Sequence, residues 1–365
     1  MYFLIFYMDA TNQSQSLERL AIYMDRAVKN DIPYDAYLQI THRCNGRCEM
    51  CDIWKQRKLL DPPFRKISDI IHALRDKEFR WVTLWGGEPY LHADIVAIME
   101  EVKKCGMKLQ IITNATLLAE DSNERLHATN QLVDNFVASV DAPNTETHDK
   151  IRGLQGFFEK TVRNLLALVD LNRNGGRGSG VEIDTTVTRS NIHLLIEMIR
   201  FSKLFGDILV DFDPAQLQGL GNNGDSRIIE IPHQNIDSVF DDLIDAARSG
   251  AHITSPAKLE LIRKYLKGEK ICGSCYSLFK DLLIGPNGDV YFCWGSDKII
   301  GNILDGDFEQ KWHAAIASNV DCITGDADRC RGCGFSHVRW PDSGFREVVE
   351  GINSLRKKYY EQFRI

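Results

Sequence analysis

Cys44-Asn-Gly-Arg-Cys48-Glu-Met-Cys51 sets three thiols within eight residues, directly after the strand-like run Ala36-Tyr37-Leu38-Gln39-Ile40. Clustered thiolates are soft ligands that hold zinc or iron–sulfur clusters. A closed site needs four ligands, and no fourth cysteine or histidine follows nearby. His42 lies just upstream, but nearness alone does not make it a ligand. A structural zinc knuckle, or three buried cysteines grouped by chance, is the plainer reading. Ten cysteines spread over 365 residues make chance a poor account, and zinc would want a fourth ligand in a recognisable pair spacing. The triad therefore points to a [4Fe–4S] cluster with one iron left open, a chemical site and not a staple.

Outward from the triad the chain alternates. Short β-rich runs occur at 36–41, 80–85, 108–113, 134–140, 181–188 and 207–213, with amphipathic helical stretches between them. One stretch carries Ile95, Ile98, Met99, Val102 and Cys105 at helical spacing, closed by Gly106, so Cys105 is read as buried and inert. Six β/α units in succession predict parallel strands with right-handed crossovers: an α/β fold, a partial (β/α)6 TIM-type barrel. Upstream, Ser16 is placed to cap a helix with Leu17, Leu20, Ala21, Met24 and Val28 on its apolar face. A helical stretch near 235–249 closes the sixth unit; beyond it the alternation stops and cysteines return. The expected division is an N-terminal helical extension (1–34), the barrel (35–250), a small cysteine-bearing domain (251–345) and a C-terminal helix (346–365).

Hydrophobic residues make up 44% and charged residues 26%, ordinary for a globular protein. The net charge of −7 argues against nucleic-acid binding through a broad basic face. The apolar opening Tyr2-Phe3-Leu4-Ile5-Phe6-Tyr7 is too short to span a membrane and lacks a basic region for export. A cytoplasmic location is expected, with the cysteines reduced, which suits an oxygen-sensitive cluster.

In β/α barrels the active site forms from the loops after the strands. Strand one leads into the triad, strand two into Trp85-Gly86-Gly87-Glu88-Pro89, strand three into Thr113-Asn114-Ala115 and strand four into Ser139-Val140-Asp141. Strand five ends in Thr185, Thr186 and Thr188, and strand six in Pro214 and Gln216. Gly86-Gly87 would let backbone amides approach a ligand, Glu88 would accept hydrogen bonds from an ammonium group, and Pro89 would stiffen the exit. Ser139 and Asp141 alternate on one strand face, a suitable pair for ribose hydroxyls. As an isolated tetrapeptide Gly-Gly-Glu-Pro would be only a turn.

Taken together, the CX3CX2C triad, the GGEP segment, the Thr-Asn after strand three and the Ser-Val-Asp of strand four resemble the radical S-adenosylmethionine (SAM) superfamily, over roughly 36–216. His148-Asp149-Lys150-Ile151-Arg152-Gly153 also looks like that family's segment after strand four. Met50 departs from the aromatic residue the family often carries before the third cysteine, yet could pack on the adenine. The resemblance implies that Cys44, Cys48 and Cys51 bind three irons of a [4Fe–4S] cluster and that SAM chelates the fourth. It implies SAM contacts at Met50, Gly86, Gly87, Glu88, Pro89, Asn114, Ser139, Asp141 and Thr186. It also implies reductive cleavage of SAM to a 5′-deoxyadenosyl radical that abstracts hydrogen, with a flavodoxin- or ferredoxin-type electron donor.

Six further cysteines are Cys272, Cys275, Cys293, Cys322, Cys330 and Cys333 with Cys105 set aside. The apolar run after Cys275, the turn Gly285-Pro286-Asn287-Gly288-Asp289 and Val290-Tyr291-Phe292-Cys293 read as a β-hairpin. Cys272-Gly-Ser-Cys275 with Cys330-Arg-Gly-Cys333 could be a zinc ribbon. The order Cys275, Gly288, Cys293 and a distant CX2C resembles the SPASM/twitch extension, in its one-cluster twitch form. That resemblance implies a second, auxiliary [4Fe–4S] cluster on Cys275, Cys293, Cys330 and Cys333, with Cys272 able to exchange for Cys275. An auxiliary cluster can accept the electron left after hydrogen abstraction.

About forty residues precede Cys44, which would leave no room for a leader-binding domain. The expectation is thus a small polar, sugar- or cyclitol-like substrate, oxidised with the auxiliary cluster as acceptor. The alternatives are a peptide-modifying maturase acting on a precursor peptide, or a redox-neutral epimerase, dehydratase or decarboxylase. A metal scaffold that only binds partners is the non-enzymatic reading. Arg152, Asp213 and Cys322 are weak catalytic candidates; for Arg152 and Asp213 a surface salt bridge is the competing role. Gly219-Leu-Gly221-Asn-Asn-Gly224 fits GxGxxG, but no helix start follows, so it is read as a substrate-facing loop and not a nicotinamide site.

Overall fold

The computed structural model describes residues 35–56, 61–119, 123–175, 178–217, 221, 224–269 and 281–317. The expected terminal helices, Cys272, Cys275, Cys322, Cys330 and Cys333 lie outside the described residues, as does most of the Gly219–Gly224 loop. Six strands run parallel in the order β6-β5-β4-β3-β2-β1: β1 (Asp35–Thr41), β2 (Trp81–Gly86), β3 (Lys108–Thr113), β4 (Asn135–Ser139), β5 (Gly180–Val187) and β6 (Leu209–Pro214). These are the six strands expected from the sequence, each displaced by no more than two residues at an end. On the far side of β1 the sheet continues through β7 (Asp281–Ile284), parallel to it, then β8 (Asp289–Tyr291) and β9 (Ile299–Asn302), both antiparallel. The expected hairpin is therefore present, and it extends the barrel sheet.

Helices cover the outer face: α1 (Phe64–Asp76), α2 (Ile95–Lys104), α3 (Glu124–Leu132), α4 (Thr145–Arg152), α5 (Phe157–Arg173), α6 (Leu195–Ser202), α7 (His233–Arg248), α8 (Pro256–Leu266) and α9 (Phe308–Ala317). Each long helix turns one stripe inward. In α1 the buried side chains are Ile67, Ile70, Ile71 and Leu74; in α7 they are Ile236, Phe240, Leu243 and Ile244. α8, past the boundary expected near residue 250, packs on α7 and β6. Cys105 follows α2 and is half-buried beside the core, so it is not the sealed residue its spacing predicts. The last turn of α2 exposes its flank, and burial pushes the thiol up while nearby Arg75 opposes this.

The strands separate two environments. On β5 the helix side is apolar or small, with Ile183, Thr185 and Val187 fully buried, while Glu182, Asp184 and Thr186 face a lumen. β6 repeats this, with Val210 and Phe212 buried and Leu209, Asp211 and Asp213 lining the lumen. The core thus lies between sheet and helices, and the barrel interior is left as a cavity.

Candidate active site

The cavity is about 700 Å³ and is lined from nearly every strand. Cys44, Cys48, Cys51, Met50, Gly86, Gly87, Asn114, Ser139, Arg152 and Thr186 all border it. Residues that stand up to 142 positions apart in the chain thus share one space.

The cysteine loop is held by backbone. Arg47 N–H donates to the Arg152 carbonyl (2.9 Å) and Glu49 N–H to that of Ile151 (2.8 Å), so the end of α4 clasps it. Asp52 N–H donates to the Gly221 carbonyl (2.7 Å), which brings the loop after β6 against the same segment. Gly87 N–H donates to the Thr41 carbonyl (2.9 Å) and Glu88 N–H to that of Arg43 (2.8 Å). A Cβ at Gly86 would overlap the Thr41 carbonyl oxygen, and one at Gly87 that of Arg43. The two glycines border the cavity, but their smallness admits the cysteine loop's own backbone; approach of a ligand is not what demands it.

Glu88 does not offer a free carboxylate. It is fully buried and accepts from Thr113 Oγ1 (2.7 Å), Asn114 N–H (2.9 Å) and Tyr90 N–H (3.0 Å). Burial pushes its carboxyl up, and those three donors pull it back. Its role here is to tie β2 to β3 below the rim. Pro89 is buried at the start of a 3-10 turn over Pro89–Leu91 and is absent from the described lining. Asn114 Nδ2 donates to Asn45 Oδ1 (2.9 Å), and Asn45 Nδ2 donates to Thr116 Oγ1 (2.8 Å). Asn45, between the first two triad cysteines, thus ties the cysteine loop to the segment after β3, a link the sequence reading does not include.

Ser139 and Asp141, expected on one strand face, differ in exposure. Ser139 lines the cavity, whereas Asp141 is fully buried behind it. Arg152 Nε lies 2.6 Å from Asp141 Oδ2, Thr186 N–H donates to Asp141 Oδ1 (3.1 Å), and Arg152 Nη1 reaches to 3.7 Å from Cys48 Sγ. Burial pushes Asp141 up and Arg152 opposes it. Arg152 itself is pulled down by burial, yet Asp141 and Cys48 together leave it above its ordinary value. Arg152 is thus a buried link between Asp141 and a triad thiol, not a surface ion pair.

Asp213 is likewise interior. Lys258 on α8 sits 2.9 Å from Asp213 Oδ1 and 2.8 Å from Asp211 Oδ2. Burial pushes Asp213 up to about 6 against the pull of Lys258. Asp184 is driven well above the usual carboxylate range by burial, with Asp213 and Asp211 alongside. Thr185 and Thr188 are buried outside the cavity, while Thr186, Pro214 and Gln216 border it.

Burial pushes the three triad thiols up, Cys51 to about 12, with Cys44 also raised by Glu88 and with Arg152 partly opposing the rise at Cys48. Three half-buried thiols facing one cavity, their acidity lowered by desolvation, stay neutral unless a cation supplies compensating charge, and metal coordination supplies it. Met50 packs on Ile151, Ala215 and Ile228 beside Cys48. Beside Cys51, Trp294 follows half-buried Cys293 and meets Trp85 (centroids 4.6 Å apart) and Tyr37 (5.4 Å). The segment carrying Cys293 is therefore joined to the cavity wall.

Residues 38–198 match the family model of the radical SAM superfamily, and residues 272–334 match that of the SPASM iron–sulfur cluster-binding domain. AlbA, the antilisterial bacteriocin subtilosin biosynthesis protein of Bacillus subtilis, is 24% identical over 295 residues, covering 79% of this chain and 61% of AlbA. The chain thus spans less than two thirds of AlbA's length. The mycofactocin maturase MftC of Mycolicibacterium smegmatis is 26% identical over 339 residues, 87% of this chain and 81% of MftC. Among solved structures, SuiB of Streptococcus suis bound to S-adenosylmethionine superposes with a TM-score of 0.63 at 14% identity, over 90% of this chain and 78% of SuiB. SuiB bound to the precursor peptide SuiA gives a TM-score of 0.61 at 14% identity, over 96% and 79%. At that identity the likeness establishes the fold.

Proposed function

The chain belongs to the radical SAM superfamily and carries a SPASM iron–sulfur domain, and on that premise we propose that it is a maturase that modifies a peptide. The observation that carries this reading is the reach of its likeness to AlbA and MftC, over 79% and 87% of the chain. The sequence had pointed first to a small sugar-like substrate; these relatives favour the alternative expected beside it.

Radical SAM and SPASM domains imply a SAM-binding [4Fe–4S] cluster, SAM and an auxiliary iron–sulfur cluster. The donor set fits the first group: three half-buried thiols border one cavity together. When bound, these groups supply one-electron cleavage of SAM and removal of a hydrogen atom from an unactivated C–H bond. In this reading Cys44, Cys48 and Cys51 hold the cluster. Asn114, Ser139 and Thr186 offer polar contacts to SAM from the cavity wall, and Met50 offers an apolar one. Arg152, by its contact with Cys48, counters negative charge at the thiolates, and Asp141 keeps the guanidinium in place. Cys293, with Cys275, Cys330 and Cys333, is assigned to the auxiliary cluster, in a domain placed at 251–345. A cytoplasmic setting and a flavodoxin- or ferredoxin-type donor belong to the same reading. Among the described residues no helix is long and apolar enough to cross a membrane.

A second reading, oxidation of a small polar substrate with the auxiliary cluster as acceptor, rests on the polar lumen, where Asn135 Nδ2 donates to Gln110 Oε1 (2.9 Å). Anaerobic enzyme holding about eight irons per chain, given SAM and dithionite, separates the two. A mass change confined to a short peptide encoded beside this gene supports the maturase. No change in that peptide, with loss of two hydrogens from a cyclitol, supports the second reading.

A further inference from the structure

We infer that His72, Glu101 and Cys105 form a zinc site on the outer face of the barrel, where α1 packs on α2. One imidazole, one carboxylate and one thiol meet there, and their donor atoms lie within 4.8 Å of one another. Tetrahedral zinc holds such atoms at about 2.0–2.3 Å from itself, hence about 3.3–3.6 Å apart, so small side-chain rotations close the set. The backbone already presents it. Glu101 and Cys105 stand one helical turn apart, and the Cys105 N–H donates to the Glu101 carbonyl (3.1 Å), so both side chains leave the same flank of α2. From α1, His72 Nε2 lies 2.7 Å from Glu101 Oε1, and Ser68 Oγ, one turn earlier, donates to that same oxygen (3.2 Å). Ser68 thus orients the carboxylate as an outer partner orients a metal ligand.

An ion pair between His72 and Glu101 would join the helices without a thiol. Cys105 adds a soft donor beside that pair, and it is half-buried on the flank instead of sealed in the core. Solvent reaches the group, since the His72 side chain is 43% exposed and that of Glu101 15%. Two cations stand nearby. Arg75, beside the thiol, is engaged by Asp76 (2.7 Å), and Lys104 lies 3.9 Å from Glu101 Oε2; both side chains are largely exposed and free to swing outward. Magnesium and calcium take oxygen ligands and would leave the thiol and the imidazole unused. One thiolate, one imidazole and one carboxylate suit zinc, with water in the fourth place. Binding replaces the His72–Glu101 hydrogen bond and releases the Cys105 thiol proton to solvent. The ion then pins together the helices before and after β2, the strand that leads into Gly86-Gly87.

The test uses the full chain, anaerobic and loaded to about eight irons so that the cluster cysteines are occupied. Dialysis against zinc chloride should leave about one zinc per chain. Its X-ray absorption at the zinc edge should show one sulfur at about 2.3 Å and nitrogen or oxygen at about 2.0–2.1 Å. His72→Ala and Cys105→Ser should each weaken zinc retention by at least about tenfold, while iron content and 5′-deoxyadenosine release under dithionite stay at the parent level. A zinc environment of three or four sulfurs would put the ion on vacated cluster cysteines and overturn the site. So would a parent enzyme that retains no zinc, or retention unchanged in both variants. The parent spectrum decides the matter even where a variant fails to fold, and none of these outcomes bears on the peptide reading.

Discussion

The two walls of the cavity are built on opposite terms. Around the cysteine loop, the main polar groups answer one another: Glu88 takes three donors, Asp141 holds Arg152, and Asn45 bridges Asn114 and Thr116. Along β5 and β6, Lys258 serves two aspartates while Asp184 Oδ1 is left without a hydrogen bond among the described residues. The first wall is cross-tied by the fold, as a cluster and SAM require of a fixed cradle, with the indole N–H of Trp85 left without a hydrogen bond among the described residues. The second crowds carboxylates together, and burial pushes Asp184 and Asp213 towards their neutral forms.

The largest expected effect lies on the first wall. Cys44→Ala should reduce 5′-deoxyadenosine release under dithionite to background and lower bound iron from about eight to about four per chain. Release at the parent rate would remove the triad from the chemistry.

Next comes a paired removal of the two buried cations. Arg152→Met strands the fully buried Asp141 and should cost about 3–5 kcal/mol, read as a lowered thermal midpoint. Lys258→Met should cost less, because Asp213 can take up a proton and Asp211 keeps a third of its side chain exposed. Equal losses would erase the contrast between the walls.

The smallest effect is a pH slope. Asp213 holds its proton in the folded chain up to about 6, whereas the unfolded carboxyl releases it near 3.8. The folded state therefore binds more protons between those values. Its stabilising contribution is full below 3.8, falls as pH rises towards 6 and is absent above that. Thermal midpoints taken anaerobically from pH 4 to pH 8 should decline over the lower part of the range, by at most about 1.4 kcal/mol per pH unit for one proton. Asp213→Asn should flatten that decline, and an unchanged slope would assign it to another group.

Much of the first wall was legible along the chain. The six strands read from alternating patches match those observed, because a parallel strand buried on its helix side leaves a local signature. The triad and Gly-Gly were visible as spacing, but their partners were not. Gly87 had been read as room for a ligand, yet the Arg43 carbonyl, 44 residues back, occupies that room. Glu88 reads as an open acceptor along the chain, and the fold gives it donors at the end of β3, Thr113 Oγ1 and the Asn114 N–H. Asp141 had been read with Ser139, yet a residue eleven positions on turns it away from the lumen.

What the sequence determined by itself was therefore the β/α rhythm, the place of the three thiols after the first strand, and the hairpin that carries Cys293. Each is set by neighbours a few residues apart, through periodicity, turn chemistry or ligand spacing. Only the tertiary structure decided which polar groups stay available. Asp184 meets Asp211 through strand register, and Lys258 reaches both Asp211 and Asp213 from a helix more than forty residues on. Burial and pairing are properties of the assembled wall: a carboxylate's charge balance depends on what faces it across the cavity, and the order of residues along the chain does not specify that.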